Sequence, residues 1–209
     1  MTKLNLLIAE DQPIMVQGLK LIFEDREDID VVEDVKNGRE MVKYVRNSPE
    51  DIDIVLADIK MPDMDGLEAA KIIINSKALN TRILFYSIFI TEAHVGRAIK
   101  MGVDGYLDKG CAGDEICKAI YEIKGGKRYY SEEVRKISKS AVELMENMPS
   151  KREWQVVKEV EKGLLDKEIG EKLDISQYTV SDHIKNLRNK YGANNRTELL
   201  YFLRNKGLI

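Results

Sequence analysis

Five side chains with chemistry of their own follow short apolar runs in this 209-residue sequence. The carboxylates of Glu10 and Asp11 follow one run and that of Asp58 follows another, while the hydroxyl of Ser87 and the ammonium of Lys109 follow two more. Clustered carboxylates repel one another unless a hard divalent cation neutralises them, and Mg²⁺ suits a site made only of oxygen ligands. If the five groups meet, Asp58 is the candidate nucleophile for an acyl phosphate. Ser87 and Lys109 would then each bind a phosphoryl oxygen, so the pattern predicts phosphoryl transfer with Mg²⁺ as the cofactor.

The elements that must position these groups alternate between strand and helix. Apolar runs typical of buried strands are Leu4–Ala9, Ile29–Val35, Ile52–Ala57, Ile83–Ser87 and Gly105–Leu107. Helical spacing of apolar residues begins at Pro13 and recurs near Arg39–Arg46, Leu67–Ser76, Glu92–Met101 and Gly113–Lys124. This alternation predicts an α/β fold, a flavodoxin-like doubly wound sheet of five parallel strands in the order 2-1-3-4-5. The carboxyl ends of such strands share one edge, where the five side chains would converge.

Composition excludes several classes of protein. Hydrophobic residues make up 44% of the chain and charged residues 33%, which fits a globular protein with a core. No apolar run approaches the roughly 20 residues of a membrane helix, and the first residues lack the pattern of a secretory signal. Two cysteines, Cys111 and Cys117, support neither a disulfide framework nor a zinc site. We therefore expect a cytoplasmic protein.

The last 60 residues differ in charge and pattern from the rest. From Ser150 onward there are 12 Lys and Arg against 9 Asp and Glu, although the whole chain carries −3. The expected helix boundaries are a Ser150/Glu153 capping box, a stop at Gly163, caps at Asp166 and Ser176, and a last helix from Asn195. Two helices joined by the short turn at Asp174–Ser176 are typical of a helix-turn-helix. We predict domains at 1–125 and 149–209, with a linker at 126–148 that is partly helical.

One face of the second helix of this motif is apolar and the other polar. Val180, Ile184 and Leu187 form the stripe expected to face the core. The opposite face would be available to DNA and carries Gln177, Ser181, Asp182, Lys185, Arg188 and Asn189.

The first 125 residues resemble the receiver domain of two-component response regulators. The stretches that carry the resemblance are LLIAED, IVLADIKMPDMDG and DGYLDKG, with Ser87 between the last two. It implies that Asp58 accepts a phosphoryl group from a sensor histidine kinase, and that Mg²⁺ is held by Glu10, Asp11, Asp58 and the backbone carbonyl of Lys60. Tyr106 falls at the aromatic switch position of the family, and the alternative is a strand aromatic that packs on the fourth helix.

The sequence departs from that family beside Ser87. Ile88 stands where a small residue is usual, and Phe89 and Lys60 are at the positions that flank the phosphoryl group in the family. A bulky Phe89 would obstruct the attacking water, which predicts self-dephosphorylation over hours. Gly110 replaces the frequent proline after Lys109, and the sequence does not decide whether that peptide bond is cis.

From Ser150 to about Leu203 the chain resembles the LuxR-type helix-turn-helix of NarL/FixJ regulators. The matching stretches are SKRE, GLLDKEIGEKLDIS, TVSDHIKNLRNKYG and NRTEL. The resemblance implies base contacts from Ser181, Asp182 and Lys185. It implies phosphate contacts from Lys167, Ser176, Thr179, Arg188 and Lys190, and a homodimer through Leu199, Leu200 and Leu203 of the last helix.

The reading favoured by both halves is a phosphorylation-dependent transcription regulator that binds promoter DNA as a dimer. One alternative is a phosphohydrolase with an aspartyl nucleophile, although Lys60 does not supply the acid that it would need. The other is a phosphorylation-independent regulator with a constitutive dimer, which the unusual neighbours of Ser87 favour. An aspartate can also accept from cytosine N4, so Asp182 is expected to help specify a cytosine.

Overall fold

The computed structural model describes residues 3–48, 51–76 and 80–209. The chain forms two compact units. One contains Met1–Ile90 and His94–Val142, and the other contains Thr91–Ala93 and Glu143–Ile209. No helix within the described ranges is long and apolar enough to cross a membrane.

The first unit is built on a parallel sheet. Its strands are β1 (Leu4–Ala9), β2 (Ile29–Val35), β3 (Ile54–Ala57), β4 (Arg82–Ser87), β5 (Gly105–Asp108) and β6 (Tyr129–Tyr130). They run in the order β2-β1-β3-β4-β5-β6, and every pair is parallel. The predicted doubly wound fold and the order of its first five strands are confirmed. The strand expected from Ile52 begins only at Ile54, and β6 was not predicted.

Helices cover both faces of this sheet. They are α1 (Pro13–Glu24), α2 (Gly38–Asn47), α3 (Gly66–Ile74), α4 (Glu92–Met101) and α5 (Gly113–Lys124). One buried cluster joins alternate strand residues to α2, α3 and α4, with Leu7, Val55 and Phe85 among its members. The other joins the intervening residues, such as Leu6 and Leu56, to α1 and α5. Strands buried on both faces in this way give continuous apolar runs, which is why the sequence revealed them.

The loop between β3 and α3 is held tightly by its own backbone. The N–H of Gly66 donates to the carbonyl of Ile59 at 2.8 Å, and the N–H of Gly38 donates to the carbonyl of Met64 at 2.9 Å. A Cβ at position 66 would overlap the backbone carbonyl oxygen of Asp58, so only glycine fits there. Asp63 takes the left-handed conformation, with φ of 61°, that aspartate tolerates better than most residues. The loop after Asp58 is therefore a closed turn.

A short connection leads from β6 into a long helix, α6 (Glu132–Glu146). Ser131 is fully buried, and its N–H donates to the carbonyl of Tyr106 at 3.0 Å. Val134 and Ala141 of α6 are buried in the same cluster as α4. The start of α6 is thus bonded to the strand that carries Tyr106.

Four helices follow in the second unit: α7 (Lys151–Glu161), α8 (Asp166–Leu173), α9 (Gln177–Tyr191) and α10 (Arg196–Asn205). The Ser150/Glu153 capping box and the caps at Ser176 and Asn195 are confirmed. The predicted cap at Asp166 is wrong by one residue, because Leu165 is the N-cap and its N–H donates to the Glu168 carboxylate at 2.7 Å.

The helix-turn-helix consists of α8 and α9. Asp174, in the left-handed conformation with φ of 54°, ends α8. Gly170 lies so close to the backbone of Ile175 that a Cβ would collide with its carbonyl oxygen. Val180 and Ile184 of α9 pack with Ile169 and with two valines of α7, and Leu187 is also buried. The predicted core stripe of α9 is confirmed.

Candidate functional site

The sheet brings the candidate phosphoryl-transfer residues together at its carboxyl edge. Asp58 directly follows β3, and its N–H donates to the carbonyl of Ala9 at the end of β1, at 2.8 Å. On the other side, the N–H of Lys109 donates to the carbonyl of Ser87 at 3.1 Å. These backbone bonds continue the parallel ladders past the strand ends, and so they fix the side chains relative to one another.

The two carboxylate oxygens of Asp58 have different partners. Oδ1 accepts from the hydroxyl of Ser87 at 2.5 Å and from the backbone N–H of Ile59 at 2.6 Å. Oδ2 accepts from Nζ of Lys109 at 2.8 Å. Asp58 and Ser87 are both buried, at 4% and 0% exposed. The carboxylate is therefore oriented by three donors.

Lys109 also donates to Glu10, with Nζ at 2.6 Å from Oε2. Burial raises the pKa of Glu10, and the hydrogen bond from Lys109 only partly opposes that effect. For Lys109 burial acts to lower the pKa, but the hydrogen bonds to Asp58 and Glu10 together outweigh it and raise the pKa. The ammonium thus stays charged and offsets the buried carboxylates.

The carboxylates of Glu10, Asp11 and Asp58 form an acidic cluster in which one oxygen from each lies within 4.8 Å of the others. Oδ1 of Asp11 is buried and has no hydrogen-bond partner in the described part of the chain. A buried carboxylate oxygen without a donor is costly unless a cation binds it. Three carboxylates with such an orphaned oxygen fit a hard divalent cation such as Mg²⁺. Lys60, the fourth expected ligand, lies in the closed loop after Asp58.

The unusual neighbours of Ser87 lie on different sides of the chain. Ile88 is 68% exposed, so its bulk does not crowd the Ser87 hydroxyl. Phe89 is half-buried, and its ring centroid lies 5.9 Å from Nζ of Lys60 and 5.5 Å from the ring of His94. Phe89 and Lys60, expected to flank the phosphoryl group, are therefore neighbours at the rim of the site.

Tyr106 lies fully buried on β5. Its hydroxyl donates to the backbone carbonyl of Phe89, and its ring meets that of Phe85 edge-on at 5.7 Å. Val95 of α4 belongs to the same cluster. Tyr106 therefore packs against the fourth helix and also bonds the segment that follows Ser87. The Lys109–Gly110 peptide bond, whose isomer the sequence left open, is trans.

In the second unit, most expected DNA contacts lie on the surface. The exposed residues among them are Lys167, Ser176, Thr179, Ser181, Asp182, Lys185 and Lys190. Ser176 and Thr179 form the cap of α9, with the Thr179 N–H donating to Oγ of Ser176 at 3.0 Å. The Ser181 hydroxyl donates to Asp166 at 2.7 Å, and Asp166 also pairs with Arg196.

Arg188 and Lys190 bond to carbonyls of their own chain. Nε of Arg188 donates to the carbonyl of Ala193 at 3.3 Å, and its Nη2 donates to that of Asn194. Nζ of Lys190 donates to the carbonyl of Met148 at 2.9 Å. These two side chains therefore hold the end of α9 through bonds within their own unit.

The predicted dimer contact through the leucines of α10 is wrong for two of the three. Leu199 and Leu203 are 1% and 0% exposed and belong to the same cluster as Val157 and Leu187. Their side chains fill the core of their own unit and are not available to another copy. Leu200 is half-buried and packs on the same helical core. Tyr201, between them, is 67% exposed.

Sequence reasoning also missed Tyr178, which is 75% exposed on the first turn of α9. It lies four residues before Asp182 and seven before Lys185, a spacing that places the three on one helix face. That spacing was readable from the sequence.

The comparisons with known proteins cover both units. Residues 6–121 match the family described as response regulator receiver domain, and residues 149–203 match bacterial regulatory proteins of the luxR family. The nitrate/nitrite response regulator NarL of Escherichia coli is 30% identical, over 93% of this chain and 92% of its own. The transcriptional regulatory protein DesR of Bacillus subtilis is 32% identical, over 98% of both chains.

Solved structures agree with the fold. The response regulator ChrA of a heme-sensing two-component system is 27% identical and matches with a TM-score of 0.57, covering 100% of both chains. The RcsB response regulator of Salmonella typhimurium, 24% identical, matches with a TM-score of 0.74 over 97% of this chain and 100% of its own.

Proposed function

Because this chain belongs to the two-component response regulators that combine a receiver with a LuxR-type DNA-binding domain, we propose that phosphorylation of Asp58 controls its binding to promoter DNA. It is a DNA-binding transcription regulator, and its relatives are regulators and not phosphohydrolases. The proposed receiver is 1–125, the linker 126–148 and the DNA-binding domain 149–209. The phosphodonor is a sensor histidine kinase, and the protein acts in the cytoplasm.

One observation carries the proposal: the bonding of Asp58. Ser87 and Lys109 bond its two oxygens, and Glu10 and Asp11 lie close enough to share a cation with it. An oxygen of Asp58 attacks the phosphorus of the donor phosphohistidine; the P–O bond forms as the P–N bond breaks, and the imidazole leaves with the electron pair. Lys109 and the Ser87 hydroxyl then turn from the carboxylate to the phosphoryl oxygens.

The residues that would hold Mg²⁺ are Glu10, Asp11, Asp58 and the carbonyl of Lys60. When bound, the cation neutralises charge on the transferring phosphoryl group. Asp11, with its orphaned oxygen, is the residue of the cluster with most to gain from a cation. Tyr106 acts as the switch, because its hydroxyl donates to the backbone carbonyl of Phe89, whose N–H donates to Oγ of Ser87. When the Ser87 hydroxyl turns to the phosphoryl group, Phe89 and the Tyr106 side chain bonded to it would move.

For DNA, α9 enters the major groove and Asp182 and Lys185 meet base edges, while Lys167, Ser176 and Thr179 meet phosphates. Ser181, Arg188 and Lys190 contact DNA only if their hydrogen bonds within the protein are replaced by hydrogen bonds to DNA. Two copies bind DNA together as a dimer. Because Leu199 and Leu203 are buried in the core of their own unit, the dimer contact on α10 is made by its exposed side, where Tyr201 lies.

The test is phosphorylation of the full chain with acetyl phosphate and Mg²⁺, followed by intact mass and solution size. We expect one added phosphoryl group together with dimer formation. Asp58→Ala should gain none, whereas Asp30→Asn, which removes an exposed carboxylate on β2, should behave as wild type. A wild-type protein that gains no phosphate and is already dimeric would instead support the phosphorylation-independent regulator.

A further inference from the structure

The outward face of α9 carries a large aromatic side chain that the proposed function leaves unused. Tyr178 is the most exposed of the large hydrophobic residues in the described ranges, at 75%. Its hydroxyl has no hydrogen-bond partner there, and its ring belongs to neither helical cluster. The Tyr178 side chain therefore has no structural role within its own unit.

Its position relative to the core is fixed. Ser176 caps α9 two residues earlier, and Val180 and Ile184 turn the opposite face inward. Tyr178 consequently projects from the first turn, the part of a recognition helix that approaches base edges.

Its neighbours narrow the role further. Ser181 is bonded to Asp166, which is itself paired with Arg196, so the serine hydroxyl is occupied. Asp182, one turn after Tyr178 on the same face, repels phosphates and so favours base edges over the backbone. An uncharged ring beside this carboxylate would meet the apolar feature that the major groove offers, the 5-methyl group of thymine.

We propose that Tyr178 is a specificity-determining residue that packs its ring against a thymine methyl group, beside the base pair that Asp182 meets. This inference rests on the proposed docking of α9 in the major groove. It concerns which base α9 recognises and not how phosphorylation of Asp58 controls DNA binding.

The test begins with selection of duplexes from a random pool by the full wild-type chain, treated with acetyl phosphate and Mg²⁺. Each thymine of the selected operator is then replaced by deoxyuridine, which removes only the methyl group. Binding of wild type should weaken about fourfold per half-site at one position, the equivalent of the ~0.8 kcal/mol of one buried methylene. Tyr178→Ala should show no such loss, while Tyr178→Phe, which keeps the ring, should retain it.

Tyr121→Ala serves as the control, because it removes an exposed tyrosine from α5 of the receiver and should leave base preference unchanged. If Tyr178→Phe binds as weakly as Tyr178→Ala at every sequence, the hydroxyl contacts a phosphate and the thymine contact is refuted. If wild type selects an operator whose deoxyuridine forms all bind equally, the proposal also fails, while DNA recognition by α9 stands. A pool with no enriched sequence would overturn both.

Discussion

Removal of the Lys109 ammonium should destabilise the receiver and make its stability depend on Mg²⁺. Nζ of Lys109 lies 2.6 Å from Glu10 and 2.8 Å from Asp58, and those carboxylates are 2% and 4% exposed. Replacement by methionine keeps the apolar stem of the side chain but leaves two buried carboxylates without their cation. The loss of one partner from a buried ionic pair costs about 3–5 kcal/mol, and we expect a loss of this size for Lys109→Met in the absence of Mg²⁺.

Magnesium should recover much of that loss. In wild type the cation competes with Lys109 for the same carboxylate oxygens, whereas in the variant it does not. One charge-assisted hydrogen bond of ~1.5 kcal/mol corresponds to roughly tenfold tighter Mg²⁺ binding by the variant. A concentration of 100 times the dissociation constant adds about 2.7 kcal/mol to the free energy of unfolding.

The assay is urea unfolding of both proteins, with EDTA and with a series of Mg²⁺ concentrations. Lys127→Met is the matched control, since Lys127 pairs with Glu122 on the surface and its loss should change stability little. Addition of Asp11→Asn to Lys109→Met should weaken the Mg²⁺ response. The reasoning is refuted if Lys109→Met unfolds like wild type in EDTA, or if Mg²⁺ stabilises both proteins equally.

Four further outcomes are expected. Asp182→Ala should lose a preference for cytosine at one operator position in a binding selection, and an unchanged preference would contradict the proposed acceptor role. The phosphorylated protein should lose its phosphate with a half-life of hours, measured by mass spectrometry over time. Phe89→Ala should shorten this half-life about tenfold, which corresponds to ~1.4 kcal/mol of the barrier to hydrolysis. A wild-type half-life below a minute would show that Phe89 does not exclude water. Leu203→Ala should lower the free energy of unfolding of its domain by about 2–5 kcal/mol in urea, because Leu203 is fully buried. Burial, with the charges of nearby carboxylates, raises the pKa of the Cys111 thiol to about 11, so at pH 8 its thiolate fraction should be roughly 100-fold below that of a peptide thiol. Its alkylation, followed by mass spectrometry, should therefore be slower than that of a peptide thiol.

The arrangement of the candidate phosphoryl-transfer residues could be predicted from the sequence more completely than that of the candidate DNA-contacting residues, for a physical reason. Buried parallel strands are continuous apolar runs, so the residues that follow them mark the functional edge of the sheet. A strand of two residues such as β6 has no period to detect, and it exists only because Gly105 and Tyr106 offer it an edge.

In the helical unit, the sequence pattern does not determine whether a given side chain faces the core or the solvent. The last helix is apolar from Leu199 to Leu203, so the pattern alone does not separate its core side from its exposed side. The bonds of Arg188 to the carbonyls of Ala193 and Asn194 depend on how the chain turns after α9, which no local motif encodes. Tyr178 was within reach of helical spacing.

The closed turn after Asp58 has a thermodynamic consequence. Ordering a residue's backbone costs about 1–2 kcal/mol, so arranging the residues from 59 to 66 when a ligand arrived would consume much of its binding energy. Here the bonds from Gly66 to Ile59 and from Gly38 to Met64 set the turn during folding. The backbone at Lys60 is then in place before any cation arrives, and the entropy of binding should be dominated by water released from the ion.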